Sequence, residues 1–193
     1  MLLNTKDITN KIETQHSGKS AEFLVNGNKK PVFMADKSCI ITKTIGEIKN
    51  GETIHFYSWA NFNLVKLLLY VLNQTGPADI LMTSYSFSQK SIESLNYYKK
   101  TGIIKDIKII LDNRVKVMSP KPFQMLQKSF DYRCTSVHCK VALIWNELWN
   151  IDIVTSQNAT DNPKLERGII FTDKETFNFD YKILSDEFDR GTA

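Results

Sequence analysis

The sequence predicts an α/β fold, a mixed β-sheet flanked by helices on both faces. Three observations carry this reading. From Thr53 to Asn113, short runs rich in β-branched and aromatic residues alternate with longer runs whose apolar residues recur at helical spacing. That alternation makes a parallel, right-handed βαβ layer. After Thr135, three apolar runs follow in quick succession, which reads as antiparallel hairpins added to the same sheet. Phe177, Tyr181, Leu184 and Phe188, spaced 4, 3 and 4 apart, then mark a closing helix.

Each element has a local reason. Residues 1–20 are polar and read as an arm. AEFLVNGNKKPVFMAD (21–36) reads as two short strands about the turn pair Asn26-Gly27. Asp36 caps a helix in which Ile41, Ile45 and Ile48 recur, and Asn50-Gly51 ends it. TIHFYSW is a strand. Leu64, Leu67, Leu68, Val71 and Leu72 mark a helix that stops before Gly76-Pro77. ADILMTSYS is the next strand, and SQKSIESLNYYKKTG is a helix ended by Gly102. IKDIKIILDN is a third strand, after which Ser119-Pro120 and Pro122 start a helix through FQMLQKSF. TSVHCKVALIW, ELWNIDIVTS and LERGIIFTD are the closing strands. With no repeat, low-complexity tract or clear linker, residues 1–193 read as one domain, of which about 1–50 form an N-terminal extension.

The chain has 193 residues, 42% of them hydrophobic and 24% charged, enough for a sizeable core. Its formal charge of +4 is unevenly spread: residues 90–140 hold 11 Lys/Arg against 4 Asp/Glu, and residues 141–193 hold 5 against 10. A basic middle suits a polyanion, or simply forms solvated helix faces. Lys99, Lys100, Lys105, Lys108, Arg114, Lys116 and Lys121 are the candidates to line a nucleic-acid groove. The three cysteines have no framework spacing, which favours reduced thiols. The amino terminus lacks the apolar run of a signal peptide. NLVKLLLYVLN is too short to span a bilayer and contains Lys66. A cytoplasmic protein without membrane insertion is expected.

The segment VHCKVALIWNELWNIDIVTSQNATDNPKLERGIIF (137–171) carries the chemistry. His138 and Lys140 are two apart, so on a strand both leave the same face. Ser156 and Asn158, also two apart, end the neighbouring strand. With Trp145-Asn146-Glu147 in the turn, the hairpin brings all four together. An imidazole, an ammonium, a hydroxyl and an amide are groups that bind a phosphodiester and attack it. Glu166, at the start of the next strand, could hold an imidazole Nδ1 and fix its tautomer. Taken singly, these residues have plainer uses. His138 can be a satisfied, partly buried histidine, Ser156 and Asn158 can be strand-end and turn residues, and Glu166 can pair with Lys164 or Arg167. Lys140 is harder to dismiss, because an ammonium on an apolar strand is costly unless paired or bound to an anion. Cys134, His138 and Cys139 match no zinc-site spacing. Trp59, Trp145 and Trp149 suit a core or an interface.

The order HxK, strand, small-Ser-x-Asn turn, carboxylate and apolar strand resembles the phospholipase D superfamily. Here it stands as His138-Cys139-Lys140, Thr155-Ser156-Gln157-Asn158 and Glu166. With the preceding elements, the resemblance runs from about Thr53 to the carboxyl terminus and implies an α-β-α sandwich. Trp145 occupies the place of the family's usual aspartate, and Thr155 that of its usual glycine. The motif occurs once, since His16 and His55 lack it, and single-motif members resemble small bacterial endonucleases whose site is shared by two protomers. The resemblance implies a homodimeric, metal-independent phosphodiesterase, with nucleic acid as substrate and no cofactor. His138 would form a phosphohistidine while the partner's His138 protonates the leaving oxygen. Lys140 and Asn158 would hold the phosphate oxygens, Ser156 would support that network, and Glu166 would orient a histidine. A nucleic-acid-binding module without turnover and a lipid phosphodiesterase are the alternatives.

Overall fold

The computed structural model describes residues 21–25, 40–59 and 62–193. Strand β1 (Ala21–Val25) and helix α1 (Ile40–Ile45) come first. The expected alternation follows as β2 (Thr53–Trp59), α2 (Leu64–Thr75), β3 (Ala78–Ser84), α3 (Gln89–Lys100) and β4 (Ile104–Asp112). Two helices come next, α4 (Val115–Met118) and α5 (Pro120–Gln127), then the strands β5 (Asp131–Thr135), β6 (Lys140–Trp145), β7 (Asn150–Thr155) and β8 (Leu165–Phe171). Helix α6 (Lys174–Arg190) closes the chain. The first turns are capped from the sequence: Asn63, Ser88 and Asp173 accept the amides of Lys66, Ser91 and Thr176.

The strands form one mixed sheet in the order β1-β2-β8-β7-β6-β3-β4-β5. Strands β3, β4 and β5 are parallel neighbours, and every other pair is antiparallel. The closing strands are inserted between β2 and β3. Even so, β2, β7, β3, β4 and β5 all run the same way, and β1, β6 and β8 run against them. One edge of the sheet therefore gathers the carboxyl ends of five strands and the amino ends of three. Ligands in open α/β sheets bind at such an edge, where the strand order switches.

Helices cover both faces, as expected. On one face α2, α3 and α5 pack on Met82, Ile109, Ala142, Ile144 and Ile153. On the other, Phe177, Leu184 and Phe188 of α6 pack on Leu81, Ile110, Val141 and Leu143. Odd and even residues of β3 and β6 divide cleanly between the two cores, as the pleat requires. Gly168 of β8 lies opposite Phe56 of β2, and a Cβ there would fall 2.1 Å from the Phe56 ring, so only glycine leaves that ring its place.

Four local expectations change. Helix α1 ends at Gly46 (φ 67), whose N–H donates to Thr42, and not at Asn50-Gly51. Ile48 is buried beyond the helix, with its N–H donated to Gln74 Oε1 at 2.9 Å. The run TSVHCKVALIW is not one strand, because β5 stops at Thr135 and β6 starts at Lys140. Helix α4 has no counterpart in the sequence reading. Strand β1 pairs with β2, while the polar arm, the Asn26-Gly27 turn, the second strand and the Asp36 cap lie outside the described residues. Among the described residues, no helix is long and apolar enough to cross a membrane.

Candidate active site

The segments picked from the sequence meet at the switch edge. Lys140 opens β6 opposite Thr155, the last residue of β7, so the hairpin brings the HCK and TSQN segments together. His138 is not on a strand, as the sequence reading had it, but in the exposed loop before β6. Thr83 of β3 fixes that loop. Its hydroxyl donates to Cys139 O at 2.8 Å and accepts from Val141 N–H at 3.1 Å.

Lys140 is only 8% exposed. Its Nζ donates to His138 O at 2.7 Å and lies 3.4 and 3.5 Å from His138 Nδ1 and Nε2. No carboxylate among the described residues is within ion-pair distance of it. Burial pushes the ammonium below its ordinary value, and the Glu166 charge works in the opposite direction. A buried ammonium beside an exposed imidazole is costly unless an anion or hydrogen bonds compensate it.

Asn158 is joined to the same place through β3. Its Oδ1 accepts the Tyr85 N–H at 3.2 Å, and its carbonyl accepts the Leu64 N–H at the start of α2. The Tyr85 ring meets the His138 imidazole edge to face at 5.3 Å. Arg114 lies over Tyr85 at 4.7 Å and is bound by Asp112, a 3% exposed carboxylate at the end of β4. Hydrogen bonding from Arg114 holds the Asp112 carboxyl below the usual range, and the nearby His138 adds to this. The sequence reading placed Arg114 among seven basic candidates and passed over Tyr85 and Asp112. Their positions, at or just past the carboxyl ends of two parallel strands, were the available clue.

Ser156 and Glu166 form a second cluster. The Ser156 hydroxyl donates to Glu166 Oε2 and accepts the Arg167 N–H at 3.0 Å, and Asn162 Nδ2 donates to Glu166 Oε1 at 2.6 Å. Glu166 is 8% exposed and pairs with neither Lys164 nor Arg167. No hydrogen bond joins it to His138 within one chain, so the expected hold on an imidazole is not made there. Gln157, to which the sequence reading gave no role, is buried, and its Nε2 donates to Phe62 O at 2.8 Å.

No protein-family model matches the chain, and neither does any curated protein. Solved structures do match. A polyphosphate kinase from Porphyromonas gingivalis superposes with a TM-score of 0.53 and 15% identity, over 67% of this chain and 24% of that one. NucT from Helicobacter pylori superposes with a TM-score of 0.53 and 17% identity, over 72% of this chain and 97% of that one. The chain thus spans about a quarter of the first protein's length and nearly all of the second's. Both belong to the phospholipase D superfamily. The chain has the phospholipase D-like fold.

Within this phospholipase D-like sheet, Trp145 stands at the far end of β6, five residues or roughly 17 Å from Lys140. It packs against Phe177 and Tyr181 of α6. Trp145 therefore bears on the seat of α6, away from the switch edge. The basic residues of the middle third do not share one groove. Lys105 opens β4 at the opposite edge, Lys99 reaches Ser129 O and the Phe130 ring, and Lys108 lies over Phe188 on the α6 side. Arg114 and Lys116 are the ones that follow the carboxyl end of β4.

Proposed function

We propose that the chain is a metal-independent phosphodiesterase, a nuclease cleaving DNA or RNA, that works as a homodimer. The observation that carries this is the buried Lys140 ammonium, without a carboxylate partner among the described residues and beside the exposed His138 imidazole. One of the structures it resembles is by name a polyphosphate kinase, in keeping with phosphoryl chemistry on this fold.

His138 attacks the phosphorus, forming a P–N bond as the P–O bond to the leaving oxygen breaks. The partner's His138 gives that oxygen its proton, then takes one from water. The resulting hydroxide attacks the phosphohistidine, the P–N bond breaks, and a phosphate monoester leaves. Lys140 and Asn158 hold the non-bridging oxygens, where charge builds in the transition state. Ser156, Glu166 and Asn162 back that network.

The test is incubation of the purified protein with single- and double-stranded DNA and RNA in EDTA, beside a His138→Ala variant. Cleavage that survives EDTA and falls by about a thousandfold or more in the variant supports the reading. Tight binding without cleavage of any of the four assigns the chain to the binding-only alternative. A solution mass is the second measurement, because a strict monomer cannot supply two copies of His138.

A further inference from the structure

Arg114 is held more firmly than an exposed ion pair usually is. Its Nε donates to Asp112 Oδ1 at 2.8 Å, its Nη2 to Oδ2 at 3.4 Å, and its backbone N–H to Oδ1 at 3.0 Å. Asp112 is fixed within the fold at the end of β4, while the Arg114 side chain keeps 63% of its surface open. Tyr85 supports the guanidinium on another side. The spans from Arg114 to Tyr85 (4.7 Å) and from Tyr85 to His138 (5.3 Å), laid end to end, place the guanidinium within about 10 Å of the imidazole. A guanidinium has five donors, and the Nη1 pair meets no acceptor among the described residues. Open, immobilised and beside the site, it presents a planar fork, the geometry suited to a phosphate.

We propose that Arg114 anchors a second phosphate, next along the substrate from the one held at His138 and Lys140. The inference rests on the phosphodiesterase reading and narrows its substrate to a chain with phosphates on successive units. A nucleic-acid strand has that character, and a phosphatidyl lipid with one phosphodiester does not. Because Asp112 offsets its charge, Arg114 adds little long-range attraction. It sets the register of the strand across the site, which is the work of phosphate contacts in nucleic-acid recognition. Tyr85, occupied by Arg114 and His138, is the spacer between the two positions.

The experiment compares kcat/KM in EDTA for a thymidine dinucleotide with one phosphate and a trinucleotide with two. The native chain is expected to favour the second, and Arg114→Ala to lower that ratio at least tenfold, chiefly through KM. Arg114→Lys should restore only part of it, since an ammonium lacks the fork. An unchanged ratio overturns the proposal, including the case of equal loss on both substrates, which would make Arg114 a mere prop for Tyr85. Arg114→Ala leaves Asp112 buried and unpaired, so Asp112→Asn with Arg114→Ala is measured beside it and must show the same fall. A second arm follows the affinity of labelled oligothymidylate against salt. The log–log slope should become shallower by about 0.7 in Arg114→Ala, the value for one lost phosphate contact on a single strand. An unchanged slope overturns the proposal too. If the native chain also cleaves none of the DNA and RNA of the first test, the phosphodiesterase reading fails and the slope alone decides the role of Arg114.

Discussion

Neighbouring strands of this sheet bury two ionisable groups with opposite consequences. Lys140 opens β6 at the switch edge, 8% exposed, with its ammonium turned to an open imidazole. Asp152 lies inside β7, fully buried, and neither of its oxygens meets a donor among the described residues. Its neighbour across the α6 packing is another carboxyl, Asp180, and burial together with that neighbour pushes Asp152 up to about 9. The Asp152 carboxyl therefore keeps its proton at neutral pH. Both residues are incompletely satisfied, but they differ in access. Under the proposed function a phosphate completes Lys140, whereas only a proton can settle Asp152. An incompletely satisfied group at a rim can be completed by a ligand, and the same deficit in a core is a burden on stability.

Lys140→Met gives the largest expected effect. Catalysis should fall by about 10²–10³, as it does when a donor to developing phosphate or oxyanion charge is removed. The thermal midpoint at neutral pH should rise, because a buried, unpaired ammonium is replaced by an apolar chain of similar length. Since the folded-state value of Lys140 is lowered, the unfolded chain holds the proton more firmly, and stability rises as pH climbs towards the ordinary 10.5. The gain in Lys140→Met should therefore fade as pH climbs to that value. A midpoint that drops along with activity would mean Lys140 is structural.

Asp152→Asn should show the reverse slope. A carboxyl at about 9, against an ordinary 3.8, keeps a proton that the unfolded chain releases, so native stability falls as pH rises from about 4 to about 9. The asparagine variant should lose that slope, gaining roughly 1–3 kcal/mol at pH 8 and little near pH 4. Denaturant titrations at several pH values measure it, and a retained slope would show that the proton is not held at Asp152.

Glu166→Gln tests the link between the two clusters of the site. Glu166 raises the Lys140 value, so its removal should move the alkaline limb of the activity profile to lower pH and reduce kcat by about tenfold. The smallest effect is expected at the other end of β6. Trp145→Phe should leave kcat within about twofold and lower the midpoint slightly, since the Trp145 ring packs on Phe177 and Tyr181 at the end of β6 away from His138. A large loss of kcat would reinstate position 145 as part of the active site.

Much of this was legible in the sequence because it is written in local chemistry. The strand–helix alternation from Thr53, the helix Leu64–Thr75 and the closing helix follow from periodicity and caps, which neighbouring residues settle among themselves. His138, Lys140, Ser156, Asn158 and Glu166 were legible because a tight hairpin brings fixed positions of adjacent strands together. The break between β5 and β6 was hidden, since Thr135–Trp145 reads as one extended run, and the parallel partner β4 ends β5 at Thr135.

The sequence alone determined the fold class, the residues of the HCK and TSQN segments and their convergence. Tertiary structure decided the rest. It inserted β6–β8 between β2 and β3, which sets the TSQN turn beside the carboxyl end of β3 and allows Asn158 to bond Tyr85. It added Tyr85, Arg114 and Asp112 to the site, and it placed Asp152 against Asp180. The physical reason is common to all three: contacts between segments many residues apart depend on strand order and direction, and neither is encoded in the periodicity of any one segment.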